Sequence, residues 1–345
     1  MLGKSGPSEA GRPAILENMS KDQSHRFCVA PMLDGTDRHC RYFHRLMTRR
    51  ARLYTEMITA EAIVHGDPVR HLAFNSEEHP VALQLGGSDP ATLAIASKAG
   101  EAFGYDEINL NVGCPSDRVQ SGSFGACLMK APQLVADSVA AMRAAVKIPV
   151  TVKCRIGVDD QDPDESLFGF VDLVSKAGCE TFIVHARKAW LQGLSPKENR
   201  EVPPLDYEIV RRLKRARPGL SIILNGGISS LDEAEALLPD FDGVMLGRAA
   251  YGDPYLLAEV DQRIFGEARA PLRREDIAAA MIPYIRRVVE TGVKPHHVTR
   301  HMLGLFHGEP GARQWRRRLS ALGASAPADI IAQALDDLGA KAAAE

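Results

Sequence analysis

A cysteine lies where a β-rich part of the sequence runs into a loop rich in glycine and serine. Before it, apolar residues alternate with Asn109 and Asn111, the two-residue period of a β-strand. Gly113 and Pro115 end the strand on either side of Cys114, so the two asparagines are expected to lie on one side of the strand, below the thiol. A cysteine that only fills buried space is the alternative. The paired amides and the Gly-Cys-Pro sequence favour a catalytic Cys114.

Basic residues lie near the ends of two later β-rich segments. Lys153 interrupts one of them, and a lysine that points into a protein is unfavourable without an anionic partner. It predicts an anionic ligand; a solvated lysine at the rim of the strand is the alternative. His185 stands shortly before Arg187 and Lys188. These neighbours favour a ligand-binding His185 over a histidine satisfied within the core.

Glycine-rich backbone ends the last two β-rich segments, at Asn225-Gly226-Gly227 and at Gly247-Arg248. Main-chain N–H groups at the seventh and eighth strand ends commonly bind phosphate in β/α barrels. Tight turns would explain either set of glycines alone, but glycine at both ends favours phosphate binding. The sequence therefore predicts a phosphate-bearing cofactor, with a lysine near an anionic part of it and a thiol opposite.

Eight β-rich segments alternate with helical segments over about 235 residues, which is typical of an α/β protein with a (β/α)8 barrel. The predicted strands are Phe27–Ala30, Leu53–Glu56, Val81–Gly86, Glu107–Gly113, Val150–Ile156, Thr181–Ala186, Ile222–Gly227 and Gly243–Gly247. The predicted helices between them include Pro90–Phe103, Pro132–Val146, Glu165–Ala177 and Leu231–Leu237. A doubly wound sheet is the alternative, but no G-x-G-x-x-G motif follows the first strand.

Changes in composition divide the chain into three parts. Residues 1–26 are rich in Gly, Pro, Ser and charge and are predicted to form a flexible N-terminal tail. Residues 27–262 form the predicted TIM-barrel catalytic domain, and residues 263–345 form a small all-helical domain. The helices predicted in this last part are Arg274–Thr291, His297–Phe306, Gln314–Leu322 and Pro327–Leu338.

The composition argues against several classes of protein. The formal net charge of −2 gives no general basic field, so nucleic-acid binding would need a local patch. The six cysteines form no C-x-x-C pair and no metal-ligand cluster, so we expect no metal site. Cysteines of this kind suit a protein of the reducing cytoplasm. No apolar run approaches the ~18 residues of a membrane span, and no secretion signal is recognisable. A cytoplasmic monomer without membrane binding is expected.

Several of these motifs occur together in one enzyme family. In chain order they are Ala30-Pro31-Met32, Asn111-Val112-Gly113-Cys114-Pro115, Lys153-Cys154-Arg155, His185-Ala186-Arg187, Asn225-Gly226-Gly227 and Gly247-Arg248. Across residues 27–320 the sequence thereby resembles the tRNA-dihydrouridine synthases. Three longer segments are similar to the A subfamily in particular: His185–Leu191, Arg300–Phe306 and Pro310–Arg317.

The resemblance implies an enzyme that binds FMN and uses NADPH to reduce a uridine of the tRNA D loop, at position 20 in the A subfamily. Reduced FMN would transfer hydride to C6 of the base, and Cys114 would protonate C5 from the other face. The cofactor-binding residues implied in this way are Pro31, Met32, Leu33, Gln84 and Lys153 at the flavin ring, His185, and Asn225, Gly226, Gly227, Gly247 and Arg248 towards the phosphate. Asn111 would contact the substrate nucleotide, and Arg187 and Lys188 would lie near the RNA.

A basic cluster in the helical domain supports a tRNA substrate on physical grounds. Between Arg286 and Arg318 there are eight Lys or Arg and two acidic residues, a local balance of +6. Positive charge on a nearly neutral protein suits contact with RNA phosphates. Histidines and Trp315 within the cluster could bind phosphate or stack on bases. The predicted tRNA-binding residues of the cluster are Arg300, Arg313, Arg316 and Arg317.

Two other functions are open alternatives. FMN barrels that oxidise or reduce free pyrimidines, of the dihydroorotate or dihydropyrimidine dehydrogenase kind, have a similar Asn-x-x-Cys-Pro sequence. Such enzymes would need neither the basic helical domain nor Arg187 and Lys188. A non-catalytic RNA-binding protein would not need Cys114, Lys153 and the phosphate-binding glycines together.

Overall fold

Eight parallel strands close into a barrel in the computed structural model, which describes residues 23–116, 122–320 and 330–342. The strands are β1 (Phe27–Val29), β2 (Arg52–Tyr54), β3 (Val81–Gly86), β4 (Glu107–Val112), β5 (Val150–Arg155), β6 (Thr181–His185), β7 (Ser221–Asn225) and β8 (Gly243–Leu246). Each pairs with the next, and β8 pairs with β1. A two-residue strand, Ile58–Thr59, pairs with the end of β3.

Helices follow the strands and continue alone after the barrel. They are α1 (Arg38–Met47), α2 (Ala60–His65), α3 (Pro68–Leu72), α4 (Pro90–Phe103), α5 (Pro132–Ala145), α6 (Pro163–Lys176), α7 (Tyr207–Ala216), α8 (Leu231–Leu237), α9 (Arg248–Gly252), α10 (Val260–Arg263), α11 (Arg274–Glu290), α12 (Pro295–Thr299), α13 (Ala312–Ser320) and α14 (Ile330–Ala342). Short 3-10 helices are Ser76–Glu78, Gly125–Lys130, Glu198–Arg200, Pro254–Glu259 and Arg300–Met302. The predicted (β/α)8 barrel with a helical C-terminal part is confirmed. None of the described helices is long and apolar enough to cross a membrane.

The first residues of two barrel helices show why the sequence could locate them. Asp89 accepts a hydrogen bond from the N–H of Thr92, and a proline follows it at the first helical position. Asp162 accepts from the N–H of Asp164 in the same way, again before a proline. Helix α4 therefore has its predicted bounds, whereas α6 begins two residues earlier than the predicted Glu165 because its cap is Asp162.

The interior of the barrel has an apolar side and a polar side. The apolar group comes from β1–β3 and β6–β8 and consists of Cys28, Ala30, Tyr54, Ala82, Ile183, Ile223 and Met245. On the polar side, β4 contributes Glu107, Asn109 and Asn111, and β5 contributes Thr151 and Lys153. The strands of the polar side therefore carry the side chains from which the site is built.

A buried carboxylate closes the bottom of the polar side. Glu107 lies 2.6 Å from His25 Nε2 and 3.4 Å from a guanidinium nitrogen of Arg52, and it accepts a hydrogen bond from Tyr54 at 2.8 Å. His25 belongs to the predicted flexible tail, but this part of the prediction is wrong, because His25 is buried beneath the barrel. Residues 1–22 of the predicted tail lie outside the described residues.

Asp37 joins the helical part of the chain to the barrel. It caps α1 by accepting from the N–H of Cys40 at 2.9 Å. Arg300 donates to Asp37 at 2.7 Å, and Nε2 of the buried His301 lies 3.0 Å from the same carboxylate. The other ring nitrogen of His301 lies 3.2 Å from the Tyr251 hydroxyl. One carboxylate thus holds the start of α1 and the 3-10 turn that follows α12.

We expect Asp37→Asn to lower the free energy of unfolding by about 2 kcal/mol, because it weakens hydrogen bonds from charged, partly buried groups. Burial alone would raise the pKa of Asp37, but His301, Cys40 N–H and Arg300 hold it below the usual range. A carboxyl group with a lowered pKa contributes stability above its unfolded pKa of ~3.9 and loses it as the pH falls further. Thermal unfolding of both proteins at pH 7 and pH 3 should show the full difference only at pH 7. Equal Tm values at pH 7 would contradict this role.

Candidate active site at the carboxyl ends of the barrel strands

Cys114 lies directly after β4 and is held by backbone hydrogen bonds on both sides. Asn111 Oδ1 accepts from the N–H groups of Gly113 and Cys114, each at 3.0 Å. The carbonyl of Cys114 accepts from the N–H of Ala126 at 2.8 Å. The thiol is half-buried, with Sγ 3.5 Å from Ser116 Oγ. The thiol is therefore fixed in place at the mouth of the barrel and still accessible.

Buried amides line the polar side below the thiol. The two asparagines of β4 lie on the same side of the strand, as predicted, and Gln84 of β3 lies between them. Gln84 Nε2 donates to Asn109 Oδ1, and Asn111 Nδ2 donates to Gln84 Oε1, both at 2.8 Å. At most 8% of any of the three residues is exposed. Gln84 is predicted to contact the flavin ring, and Asn111 is predicted to contact the substrate nucleotide. In the structure these two side chains are hydrogen-bonded to each other.

Lys153 lies beside Asn111 in the register of β4 and β5. Within the described residues, its ammonium group makes no ion pair or hydrogen bond, and no acidic side chain is among the groups that shift its pKa. Desolvation, and then the charge of Arg155, lowers the pKa of Lys153 to about 8. A bound anion would relieve both effects. Lys153 therefore fits the predicted site for an anionic ligand.

His185 and the glycines after β7 pack against one another. Desolvation, then Arg155 and Lys153, lowers the pKa of His185 well below its usual value, so the imidazole is neutral at pH 7. Gly226 has φ +114°, and a Cβ there would lie 2.6 Å from the His185 ring. Gly227 has φ +75°. Any larger residue at position 226 would push the imidazole out of its place.

The other residues predicted near the cofactor lie at adjacent strand ends. Asn225 Nδ2 donates to the Met245 carbonyl at 2.7 Å and so ties β7 to β8. A Cβ on Gly247 would lie 3.6 Å from Met32 Sδ, which places the ends of β8 and β1 side by side. Pro31 is half-buried, whereas Leu33 is 73% exposed. Of the residues predicted at the flavin ring, Leu33 is thus the most open to solvent.

Three of the predicted cations are engaged within the protein around the loop after β6. Arg248 forms an ion pair of 2.6 Å with Glu201. Arg187 donates to the carbonyls of Glu201 and Pro203. The ammonium group of Lys188 lies 5.8 Å from the centre of the Trp190 ring. A phosphate at Arg248 would have to compete with Glu201 for the guanidinium group.

Helix α13 presents three of the predicted tRNA-binding arginines to solvent. Arg313, Arg316 and Arg317 are exposed and form no ion pair within the described residues. Their spacing places them on neighbouring positions of one helix face. Arg318 is different, because it pairs with Asp337 at 3.0 Å. Helix α13 therefore carries three exposed charges, without an ion-pair partner in the described part of the chain, that an RNA backbone could contact.

Two other members of the basic cluster have structural contacts. Trp315 is fully buried; its indole N–H donates to the Met302 carbonyl at 2.8 Å, and its ring packs against Phe306. The expectation that Trp315 could stack on RNA bases is therefore wrong. Sequence alone could not distinguish the buried face of α13 from the exposed one. Arg300, predicted to bind tRNA, donates to Asp37 at the junction with the barrel.

A cavity of about 480 Å³ lies between the barrel and the helical part of the chain. Its walls include Arg38 and Arg70 from the barrel and Lys294 and His297 from the helical part. Glu56 also lines this cavity, and burial followed by the charge of Asp37 raises its pKa. Cations on both sides of the cavity make the junction suitable for a polyanion.

One residue beside the thiol was not among the predicted site residues. Arg155 is buried, its Nε donates to the Gly113 carbonyl at 3.1 Å, and another of its nitrogens donates to the Asn199 carbonyl at 2.8 Å. It thereby ties the Cys114 segment to the loop after β6. The sequence does contain a signal for Arg155: it lies two residues after Lys153 in the same strand, and residues at this spacing lie on the same face of a strand. Among the described residues, no group of three metal-binding side chains occurs.

Three proteins with similar sequences carry the same name. The tRNA-dihydrouridine(20/20a) synthase of Escherichia coli K12 is 61% identical over 318 residues, which cover 92% of each chain. The protein of that name from Vibrio vulnificus is 62% identical over 298 residues, covering 86% of this chain and 91% of its own. That from Vibrio cholerae is 60% identical over 315 residues, covering 90% and 96%.

A solved structure and a family model complete the comparison. A 2-naphthoyl-CoA reductase in complex with 2-naphthoyl-CoA superimposes with a TM-score of 0.54 at 12% identity, over 69% of this chain and 50% of the other, and so shares the fold. Residues 28–340 match the family model described as dihydrouridine synthase (Dus). The predicted resemblance is confirmed: the chain belongs to the dihydrouridine synthase family.

Proposed function

We propose that this chain reduces uridine at positions 20 and 20a of the tRNA D loop to 5,6-dihydrouridine, with FMN as cofactor and NADPH as reductant. The observation that carries the proposal is a firmly held, half-buried thiol, Cys114, close to Lys153, whose ammonium group has no acidic partner among the described residues. Identity of 61% to a relative named for these two tRNA positions supports the substrate.

The residues at the mouth fit a flavin nucleotide. Lys153 offers a positive charge that nothing in the described protein neutralises, which suits an anionic flavin. Gly226, Gly227 and Gly247 follow the ends of β7 and β8, where their main-chain N–H groups would bind the phosphate, and the neutral His185 would form a hydrogen bond with the cofactor. When bound, FMN supplies the hydride for C6 of the uracil.

Cys114 completes the reduction by giving its proton to C5 of the base. The hydrogen bonds that the N–H groups of Gly113 and Cys114 donate to Asn111 Oδ1 fix the position of the sulfur. To reach the thiol, the uridine must leave its stack in the folded tRNA. The exposed arginines of α13, and the cations that line the cavity at the domain junction, would hold the tRNA in this arrangement.

The proposed function is tested with purified protein, NADPH and a tRNA transcript that carries no modification. We expect the protein to release FMN on denaturation and to form dihydrouridine at positions 20 and 20a. Free uridine and orotate are the comparison substrates, and neither should be reduced. Turnover of a free pyrimidine without turnover of tRNA would favour a pyrimidine dehydrogenase. Protein that cannot be loaded with FMN would contradict the flavin proposal.

We expect the affinity for reduced FMN, whose ring is an anion, to fall as the pH rises above about 8. In the cofactor-free protein Lys153 loses its proton near this pH, so binding of the anionic ring at higher pH must first take up a proton. Affinity should therefore fall by up to about tenfold per pH unit above that value. Lys153→Met should bind reduced FMN more weakly at pH 7 and lose this pH dependence, as measured by anaerobic titration with reduced FMN. Lys130→Met is the control, because Lys130 is paired with Asp159; an equal response of both variants would contradict the role of Lys153.

A further inference from the structure

A continuous series of side-chain hydrogen bonds crosses the polar side of the barrel from its bottom to its mouth. Thr151 Oγ1 donates to Glu107 Oε1 at 2.6 Å, and Asn109 Nδ2 donates to Thr151 Oγ1 at 2.8 Å. Gln84 donates to Asn109, and Asn111 donates to Gln84, each at 2.8 Å. These four residues, Thr151, Asn109, Gln84 and Asn111, are called the amide chain below. It links the buried carboxylate to the segment that holds Cys114.

Strand register fixes the members of the amide chain relative to one another. Asn109 is the Cα partner of Gln84 on one side and of Thr151 on the other. Glu107 lies two residues before Asn109 on β4, and Asn111 lies two residues after it. Exposure ranges from 0% for Glu107 to 8% for Asn111. At this burial, each donor and acceptor depends on its protein partner.

The two ends of the amide chain set the direction of every bond in it. An ionised carboxylate only accepts, so Thr151 gives its single hydroxyl proton to Glu107. The Thr151 oxygen must then accept from Asn109, and the same order continues through each amide. At the other end, the two backbone N–H groups only donate, so they require the oxygen of Asn111. An amide turned the other way would leave buried donors facing donors.

Glu107 stays ionised although it is buried. Burial raises its pKa, but the charges of His25 and Arg52 and the hydrogen bonds it accepts lower the pKa of Glu107 to about 2. The carboxylate is therefore an acceptor across the neutral pH range. Its partners come from the segment before β1 and from β2, so the bottom of the barrel fixes the charge at this end.

From this geometry we propose that Glu107 and Thr151 are positioning residues of the active site, although neither lies at its mouth. They fix the orientation of the amide chain, and the amide chain fixes the place of Cys114. The inference rests on the proposed function, because it concerns the same thiol. Loss of the Thr151 hydroxyl should therefore slow protonation of the base without weakening the binding of tRNA or of the flavin.

The test compares Thr151→Val, which keeps the shape and removes the hydroxyl, with Thr151→Ser, which keeps the hydroxyl. Tyr54→Phe is the matched control, because Tyr54 donates to the same Glu107 oxygen, at 2.8 Å, but is not part of the amide chain. In the flavin-loaded enzyme, Thr151→Val should lower kcat for tRNA about 10- to 100-fold, with KM for tRNA and flavin content unchanged. Thr151→Ser and Tyr54→Phe should stay within about threefold of the wild type.

A second readout does not depend on turnover. Iodoacetamide alkylates accessible thiols, and peptide mass spectrometry follows Cys114 and Cys127 separately in the same sample. In the cofactor-free protein, Thr151→Val should raise the alkylation rate of Cys114 about threefold or more, because the segment that holds the thiol opens more readily. The rate at Cys127 should not change.

Each outcome decides the inference. Folded Thr151→Val with wild-type kcat and wild-type Cys114 alkylation would overturn it, and so would losses of equal size in Thr151→Ser or Tyr54→Phe. If the wild type does not reduce tRNA, the proposed function fails, and the alkylation rates still decide the positioning role. If Thr151→Val does not fold, Glu107→Gln is tested in its place. The side-chain amide of glutamine can donate as well as accept, so it no longer fixes the direction of the hydrogen bonds in the amide chain. We expect a loss in kcat of about fivefold or more for Glu107→Gln; wild-type kcat and alkylation would overturn the inference.

Discussion

Cys114→Ala should lower the reduction of tRNA uridine by about 10²- to 10⁴-fold, the usual contribution of a positioned general acid. The substitution removes one half-buried thiol and leaves the backbone hydrogen bonds to Asn111 in place. FMN content and the reaction between NADPH and the flavin should stay near wild type, because Lys153 and the glycines at the strand ends are unchanged. Stopped-flow measurement of the NADPH reaction and of the subsequent reaction with tRNA separates the two steps.

Cys127→Ala is the matched control for Cys114→Ala. Cys127 is also half-buried, but its thiol donates to the Phe124 carbonyl at 3.2 Å, and burial raises its pKa. Its replacement should change the rate with tRNA by no more than about twofold, since it is not a proton donor. Equal rates for Cys114→Ala and the wild type would assign the Cys114 thiol to packing.

Replacing Arg313, Arg316 and Arg317 together by Ala should weaken tRNA binding about tenfold or more at low salt. The three side chains are exposed, unpaired within the described residues and close together on α13. Each lost phosphate contact should also flatten the plot of log affinity against log salt by ~0.7–0.9 units. FMN content and the NADPH reaction should not change, because the barrel mouth keeps its residues. Binding titrations at several salt concentrations measure both effects.

Arg318→Ala provides the control for these arginines. It removes a positive charge from the same helix, but Arg318 is already paired with Asp337. Its effect on affinity and on the salt dependence should therefore be smaller than one third of that of the triple variant. An unchanged affinity and salt dependence in the triple variant would place the tRNA contact elsewhere on the protein.

The barrel could be predicted from sequence because strand period and helix caps are local signals. Every predicted strand overlaps an observed one, and β3 and α4 have the predicted bounds. Differences occur where local signals are ambiguous. The predicted helix His297–Phe306 consists of α12, which begins at Pro295, followed by a 3-10 turn. His25 lies outside any regular pattern, and its contact with Glu107 joins residues 82 positions apart.

The sequence could predict only those residues of the site that lie at or near the ends of recognisable strands. Cys114 and Lys153 are visible because each follows or interrupts an apolar pattern. The partners of Asp37 and Arg248 are not visible, because Arg300 and Glu201 come from distant segments. Thr151 was hidden for a similar reason: its role depends on lateral register between strands, which period alone does not reveal.

The most direct test of the proposed function is a map of dihydrouridine in tRNA from cells that lack this protein, before and after the protein is restored. The proposed function predicts unmodified uridine at positions 20 and 20a in the deficient cells. Restoring the wild-type protein should return dihydrouridine at those positions, whereas restoring Cys114→Ala should not. Dihydrouridine at positions 20 and 20a in the deficient cells at the wild-type level, or its full return with Cys114→Ala, would contradict the account.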